Sequence, residues 1–347
     1  METREITANE SNQRLDKMLV KYLSQAPKSF LYKMMRKKNI VLNGKKATGS
    51  EILQVGDVVS FYLAEETIEK FKGKISYQQL AKAGVELEII YEDDDVLLIN
   101  KPVGVLSQKA SSIDLSINES IIGYLLETKQ ITEEALQSFR PSICNRLDRN
   151  TSGLIVAGKS LAGLQEISAL FNHRSKSPAS KDRVGGESNL LEKYYLCLVV
   201  GEVKSSQQIK GYLTKDVSSN KVLITAEREP GSAAIETKYE SLASTNDVTL
   251  LRVQLISGRT HQIRAHLSSI GHPLVGDYKY GILGVNQRYK KAWGVSSQLL
   301  HAHTLRFPNC QGRLAPLSDR EFKAPPPELF CRICEHHFGK QIFSNFQ

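Results

Sequence analysis

The segment Ile143-Cys144-Asn145-Arg146-Leu147-Asp148-Arg149-Asn150-Thr151-Ser152-Gly153-Leu154-Ile155-Val156-Ala157 places one carboxylate between two arginines, in a turn-prone stretch bounded by two apolar runs. Short apolar runs on both sides predict buried strands that hold the turn rigid. An adjacent guanidinium favours the ionised form of a carboxyl group. Asp148 is therefore expected to act as a nucleophile, base or charge stabiliser, not as a proton donor. The same residues also fit a structural Asp-Arg pair capping a turn, and the local sequence leaves both readings open.

Downstream of this stretch, Ser160 caps a predicted helix with Leu161, Leu164, Ile167, Leu170 and Phe171 on one face. Residues 175–189, rich in Ser and Gly and lacking periodicity, are read as a flexible surface insertion. Tyr194 to Val200 predicts a short buried strand. The region 209–257 predicts several antiparallel strands with a hairpin turn near Asn246-Asp247. Ser257 to Leu267 (SGRTHQIRAHL) then gives a Gly-Arg turn and a helix capped by Thr260. Its apolar stripe is Ile263, Leu267 and Ile270, and Gly271 closes it. Gly276 to Gly281 is a loop, and Leu299 to Phe307 is one more strand. Pro325-Pro326-Pro327 ends the core, with a short helix after it.

Upstream, Leu87, Ile89 and Ile90, then Val96 to Ile99, read as strands about an acidic turn. They end at Asn100-Lys101-Pro102-Val103-Gly104, a rigid turn beside a sheet. Residues 65–84 are a charged linker with a short helix around Tyr77 to Lys82. Residues 1–12 are polar and expected to fray. From Arg14, Leu15, Met18, Leu19, Tyr22 and Leu23 recur at helical spacing until Pro27. Ser29 is expected to cap a second helix with Leu31, Met34 and Met35 inward. Ile40 to Leu42 is a strand, Asn43-Gly44 a hairpin turn, and Val58 to Tyr62 the returning strand.

Between Lys28 and Lys46 stand seven basic residues and no acidic one, so this part of the surface must be one-signed. Such a patch suits phosphate contacts, which supply affinity without sequence information. The chain as a whole carries a net charge of +9, which also favours a polyanionic partner. Its 347 residues exceed one typical core and fit two domains. No apolar run reaches membrane-span length, and the N-terminus has no apolar signal region. Five cysteines without framework spacing suit a reducing compartment. A soluble cytoplasmic protein is expected.

Two motif matches are discounted on physical grounds. Gly153 to Ser160 fits the P-loop pattern, but its intervening Leu-Ile-Val-Ala favours a strand over a loop that wraps phosphate. Cys331-x-x-Cys334 with His336 and His337 falls short of the closed four-ligand spacing of structural zinc. An amphipathic terminal helix explains those residues more simply.

Residues 13–64 (RLDKMLVKYL…PKSFLYKMMRKKNIVLNGKKA…LQVGDVV) resemble the small alpha-L, ribosomal S4-like RNA-binding domain. The resemblance implies that the second helix, with Lys33, Arg36 and Lys37, faces structured RNA. Residues 86–330 resemble a pseudouridine synthase of the RluA/RluC/RluD family. Four collinear motifs carry this: NKPVG at Asn100, NRLDRNTSGL at Asn145, KYYLCLVVG at Lys193, and LISGRTHQIRAHLSSIGHPLVGDYKYG at Leu255. The fold class implied is α+β: a small N-terminal α/β RNA-binding module, then a mainly antiparallel-sheet catalytic domain with flanking helices. The expected bounds are 13–64 for the RNA-binding module, 65–84 for the linker, 85–330 for the catalytic domain and 331–347 for a tail or short helix.

By resemblance, Asp148 is the catalytic nucleophile and Arg146 helps flip out the target nucleotide and takes its place. Tyr195 stacks on the uracil, and Arg264 pairs with Asp148. Arg14, Lys33, Arg36, Lys37, Arg259 and His261 complete the expected RNA-contacting set. The implied reaction isomerises uridine in RNA with no cofactor and no metal: the base leaves ribose carbon 1′, rotates and rejoins through its carbon 5. The expected substrate is large-subunit ribosomal RNA, with transfer RNA second, and the expected state is a monomer. A non-catalytic ribosome-assembly factor is the competing reading, against which Asp148 and Arg264 both stand. One position departs from the family pattern: its leading His is Asn145 here, which cannot titrate.

Overall fold

The computed structural model describes residues 1–72, 85–111, 114–172, 190–216 and 221–343. The expected helix at Tyr77 to Lys82 and the insertion at 175–189 lie outside these residues.

The N-terminal module is a four-stranded antiparallel sheet with helices on it. Its elements are β1 (Glu2–Glu5), α1 (Leu15–Tyr22), α2 (Lys28–Arg36), β2 (Ile40–Leu42), β3 (Lys45–Lys46), β4 (Val58–Phe61) and α3 (Glu65–Lys72), with strand order β1-β4-β2-β3. Leu15, Met18, Leu19, Leu31, Met35, Ile40, Val59 and Phe61 form its core.

Four expectations need correction here. Residues 2–5 are not frayed: they pair with β4, because Ile6 is buried in the core and its N–H bonds to the carbonyl of Asp57. Ser29 does not cap the second helix, which starts at Lys28 after Pro27; proline's fixed φ already suits a helix start. The Asn43-Gly44 turn, with φ of 50° and 71°, closes at once onto β3, the partner expected of a two-residue hairpin. β4 lies instead along the other edge of β2. The start of the expected linker is helical, and α3 sends Ile68 and Phe71 into the small core.

The larger part is built on an eleven-stranded mixed sheet. In chain order its elements are β5 (Glu88–Glu92), β6 (Val96–Lys101), α4 (Ile117–Glu127), β7 (Ser142–Ile143), β8 (Ser152–Gly158), α5 (Leu161–Asn172), β9 (Glu192–Val200), β10 (Gln207–Asp216), β11 (Lys221–Thr225), β12 (Ala233–Ser244), β13 (Val248–Leu255), α6 (Gln262–Ser269), α7 (Leu283–Trp293), β14 (Leu300–Arg306), β15 (Glu321–Lys323) and α8 (Glu328–Phe338). The main order is β11-β10-β12-β13-β9-β14-β8-β6-β5, with β7 beside β8 and β15 beside β14. Only the β14–β8 contact is parallel among the described pairs.

Both faces of the central strands are covered, which is why Ser152–Gly158 is buried throughout. Residues of one parity (Ile99, Ile155, Cys197, Leu251) meet α4 through Ile117 and Ile121 and α6 through Ile263 and Leu267. Residues of the other parity split into two clusters. Leu98 and Leu154 join Ile167 of α5, and Leu196 and Leu250 join Phe330 and Ile333 of α8. Ser160 does cap α5, accepting from the N–H of Gly163 at 3.0 Å. The P-loop look-alike is β8 itself. Cys334 is buried in α8, and no cluster of potential metal ligands occurs among the described residues. Among those residues no helix is long and apolar enough to cross a membrane.

One row of strand register matters for the site. Lys101 of β6 pairs with Gly153 of β8, Gly153 with Ala302 of β14, and Ala302 with Tyr195 of β9. The row therefore runs from a lysine to a tyrosine across the start of the strand that follows Asp148. It needs glycine at its centre: Gly153 has φ +113°, and a Cβ there would lie 2.2 Å from the carbonyl oxygen of Ala302.

Candidate active site

Asp148 sits in the loop of the β7–β8 hairpin, in which Ser142 faces Gly158 and Ile143 faces Ala157. Asn145 extends that ladder. Its Nδ2 donates to the carbonyl of Leu154 at 3.0 Å, and its Oδ1 accepts from the N–H of Val156 at 2.8 Å. A side-chain amide carries the same donor and acceptor as a peptide, so Asn145 acts as one more rung.

The loop is tied to the turn after β6. Lys101 is fully buried, and its Nζ donates to the carbonyls of Pro102, Val105 and Arg149 at 2.8, 2.9 and 3.1 Å. Gly104 N–H donates to the Arg149 carbonyl, and Arg149 Nε returns a bond to the Gly104 carbonyl, both at 3.0 Å. Buried Ser107 brackets Leu147, accepting from its N–H at 3.0 Å and donating to its carbonyl at 2.7 Å. Thr151 N–H closes the loop on the Asp148 carbonyl. Lys101 loses the water that would stabilise its charge, and burial lowers its pKa to about 8 against the opposing pull of Asp148. Sequence reading assigned Lys101 and Ser107 no task.

The arginines flanking Asp148 are not its partners, contrary to the reading of the linear sequence. Arg149 turns to Gly104, and Arg146 is exposed without a hydrogen bond among the described residues. The partner is Arg264 on α6, 116 residues away, with Nη1 2.8 Å from Oδ2 of Asp148. A turn aims alternate side chains in different directions, so sequence adjacency says little about contact. The Arg264 side chain is nearly buried, and its other edge, Nε and Nη2, grips Asp277 at 2.7 and 2.9 Å. Asp277 is fully buried and also accepts from the N–H groups of Lys279 and Tyr280. Burial alone would raise the Asp277 carboxyl, but Arg264 and the two N–H groups hold it below its ordinary value. Asp277 also went unassigned in the sequence reading. Its one signal was that it is the sole acid between Arg259 and Lys291.

His261 is the N-cap of α6, in the left-handed region at φ 55°; Thr260, the expected cap, lies one residue outside. The imidazole Nε2 is 3.8 Å from Oδ2 of Asp148, and Nδ1 is 3.0 Å from the hydroxyl of Tyr280. That hydroxyl also accepts from Val222 N–H at 2.9 Å. Burial lowers the pKa of His261, so it is neutral near pH 7. Tyr195 is buried on β9, and burial, helped by the charge of Asp148, raises its phenol well above the ordinary range.

The structure thus brings Asp148, Arg264, Tyr195 and His261 together. It leaves Arg146 and Arg259 on the surface. Lys33 and Arg36 on α2, and Lys37 at its C-cap, are exposed, away from Leu31, Met34 and Met35. Arg14 is engaged with Asp16 through Nε and Nη2 at 3.0 and 3.1 Å.

The site thus joins a carboxylate held by a nearly buried arginine to a tyrosine whose phenol is kept protonated by burial and by that carboxylate. Residues 95–269 match the RNA pseudouridylate synthase family, and residues 13–59 match the S4 domain. The chain belongs to the RNA pseudouridylate synthase family and carries an S4 RNA-binding domain at its N-terminal end. It is an RNA pseudouridine synthase, an isomerase. A relative from Mycoplasma pneumoniae named as an uncharacterized RNA pseudouridine synthase is 31% identical over 323 residues, covering 90% of this chain and 91% of that one. A ribosomal large subunit pseudouridine synthase C of Vibrio parahaemolyticus is 28% identical over 310 residues, covering 87% of each. Among solved structures, human RNA pseudouridylate synthase domain containing 4 shares the fold, with a TM-score of 0.53 at 22% identity, over 75% of this chain and 95% of that one.

Proposed function

We propose that this enzyme isomerises uridines of large-subunit ribosomal RNA and that Asp148 is the reacting carboxylate. The observation that carries the assignment of Asp148 is its ion pair with Arg264, made from a loop locked on three sides. A carboxylate fixed by a buried guanidinium needs no reorganisation when a nucleotide arrives. Its Oδ1 makes no hydrogen bond among the described residues and is the oxygen offered to the ribose. Tyr195 lies against the base; because burial keeps its phenol protonated, it offers a ring face and a hydroxyl donor. Extruding the base leaves a gap in the stack. Arg146, exposed two residues before Asp148, is the residue to fill it.

The ribosomal target is supported by relatives named large subunit synthase C and by the S4 domain. Its one-signed α2 face supplies Lys33, Arg36 and Lys37 for phosphates. Arg14, Arg259 and His261 belong to the same proposed RNA path. A ribosomal substrate is consistent with the expected cytoplasmic location. Packing of Ile6, Ile68 and Phe71 in the small core and of Phe330, Ile333 and Cys334 in the large one supports a working division at 2–72 and 85–343, wider than the expected 13–64 and 85–330. Mapping of pseudouridine in total RNA, with and without this gene, tests the reading. A gene-dependent site in large-subunit rRNA is expected. A gene-dependent site confined to transfer RNA would refute the ribosomal assignment.

A further inference from the structure

We propose that Asp277 is a positioning residue of the isomerase: it occupies the Nε–Nη2 edge of Arg264, limits that arginine to one hydrogen bond with Asp148, and so keeps the second Asp148 oxygen open to the nucleotide. The proposal rests on the reading of Asp148 as the reacting group.

Guanidinium and carboxylate prefer a fork-to-fork pair with two parallel hydrogen bonds. Left with Asp148 alone, Arg264 would satisfy that preference and cover both oxygens of the reacting group. The structure shows the fork made elsewhere. Nε and Nη2 of Arg264 reach the two oxygens of Asp277 at 2.7 and 2.9 Å, while Asp148 receives Nη1 through Oδ2 only.

Asp277 is built to stay where it is. Oδ1 accepts from the N–H groups of Lys279 and Tyr280 at 2.9 and 3.1 Å. Its carbonyl accepts from Gly281 N–H at 2.8 Å and from Asn286 Nδ2 at 2.9 Å. Asn286 Oδ1 in turn accepts from Gly276 N–H at 2.8 Å, which ties the start of the loop to α7. A Cβ at Gly276 would lie 2.2 Å from the Ser297 carbonyl oxygen, so the loop backbone packs directly against that segment. The Tyr280 ring lies under the guanidinium, 5.3 Å from ring centre to Cζ.

The test is single-turnover pseudouridine formation on an unmodified large-subunit rRNA transcript, using the full chain and its Asp277→Asn, Asp277→Glu, Arg264→Lys and Asp148→Asn variants, each checked for folding by circular dichroism. Asp277→Asn is expected to lose on the order of 10- to 100-fold in rate, the scale of a misplaced catalytic group, with RNA affinity unchanged. Asp277→Glu, which keeps the charge, should recover part of that loss. In an Arg264→Lys background the Asp277 change should cost little more, because both act through one contact. If Asp277→Asn does not fold, Asp277→Glu replaces it in that cycle. A folded Asp277→Asn with wild-type rate, or losses at Asp277 and Arg264 that simply multiply, would overturn the proposal. Turnover by Asp148→Asn would instead sink the reading of Asp148, and the proposal with it.

Discussion

Gly153→Ala tests the register row beneath the active site. The residue stands at φ +113°, so any side chain meets backbone strain of about 1–2 kcal/mol. Its Cβ would also lie 2.2, 2.6 and 2.7 Å from the oxygen, nitrogen and carbon of the Ala302 backbone. Those are strand atoms held on the other side by β9, so they cannot yield as a flexible side chain would. Opening β14 from β8 there loses one or two ladder hydrogen bonds at about 1 kcal/mol each. The total is about 2–4 kcal/mol, which for a domain of this size lowers the melting temperature by roughly 4–16 °C. The control is Gly271→Ala: its φ is +87° but nothing lies within 4 Å of the added carbon, so only the strain remains. Thermal unfolding by circular dichroism compares the two. If Gly153→Ala costs no more than Gly271→Ala, the close β8–β14 approach is wrong. The position of Asp148, five residues before Gly153, would then have no rigid base.

Three further outcomes follow from particular side chains. Burial lowers His266 and His303 to about 4 and His301 to about 3, so these imidazoles are neutral when folded and protonate sooner when unfolded. Their contribution to stability is present above pH 6.5 and is lost as pH falls toward 4, at up to about 1.4 kcal/mol per histidine per pH unit; a stability flat between pH 6.5 and 4.5 would contradict it. Asn145→Asp sets a carboxylate against the Leu154 carbonyl that Nδ2 now satisfies, and should cost about 1–3 kcal/mol in chemical denaturation, whereas a neutral result would remove the rung. Replacing Lys33, Arg36 and Lys37 with Ala should flatten the dependence of log K on log salt by about 2–3, and an unchanged slope would take RNA off that face.

What the sequence revealed and what it hid have the same origin. The β7–β8 hairpin was legible because Leu154 to Ala157 is a continuous apolar run, which only a doubly covered strand explains. The basic face of α2 was legible because no acid interrupts it. Asp148 stood out for a reason the fold did not use, since its flanking arginines point elsewhere and its true partner comes from α6. Such a contact depends on packing across β8, β14 and β9, which no local pattern encodes. Asp277 was hidden inside a loop whose glycines looked like ordinary turn residues. β1 was missed because its sequence is polar: only Ile6, just beyond it, anchors the segment. Asn145 reads as a loss of titrating chemistry in the linear motif, while the fold uses its amide as backbone.

The most direct measurement is pseudouridine formation by Asp148→Asn beside the parent enzyme, on the same unmodified large-subunit rRNA transcript, with RNA affinity measured for both. The amide keeps a hydrogen-bond acceptor for Arg264 and removes the charge, so binding should match the parent while no pseudouridine forms. Product at a rate near that of the parent would mean that the carboxylate held by Arg264 is not the group that reacts.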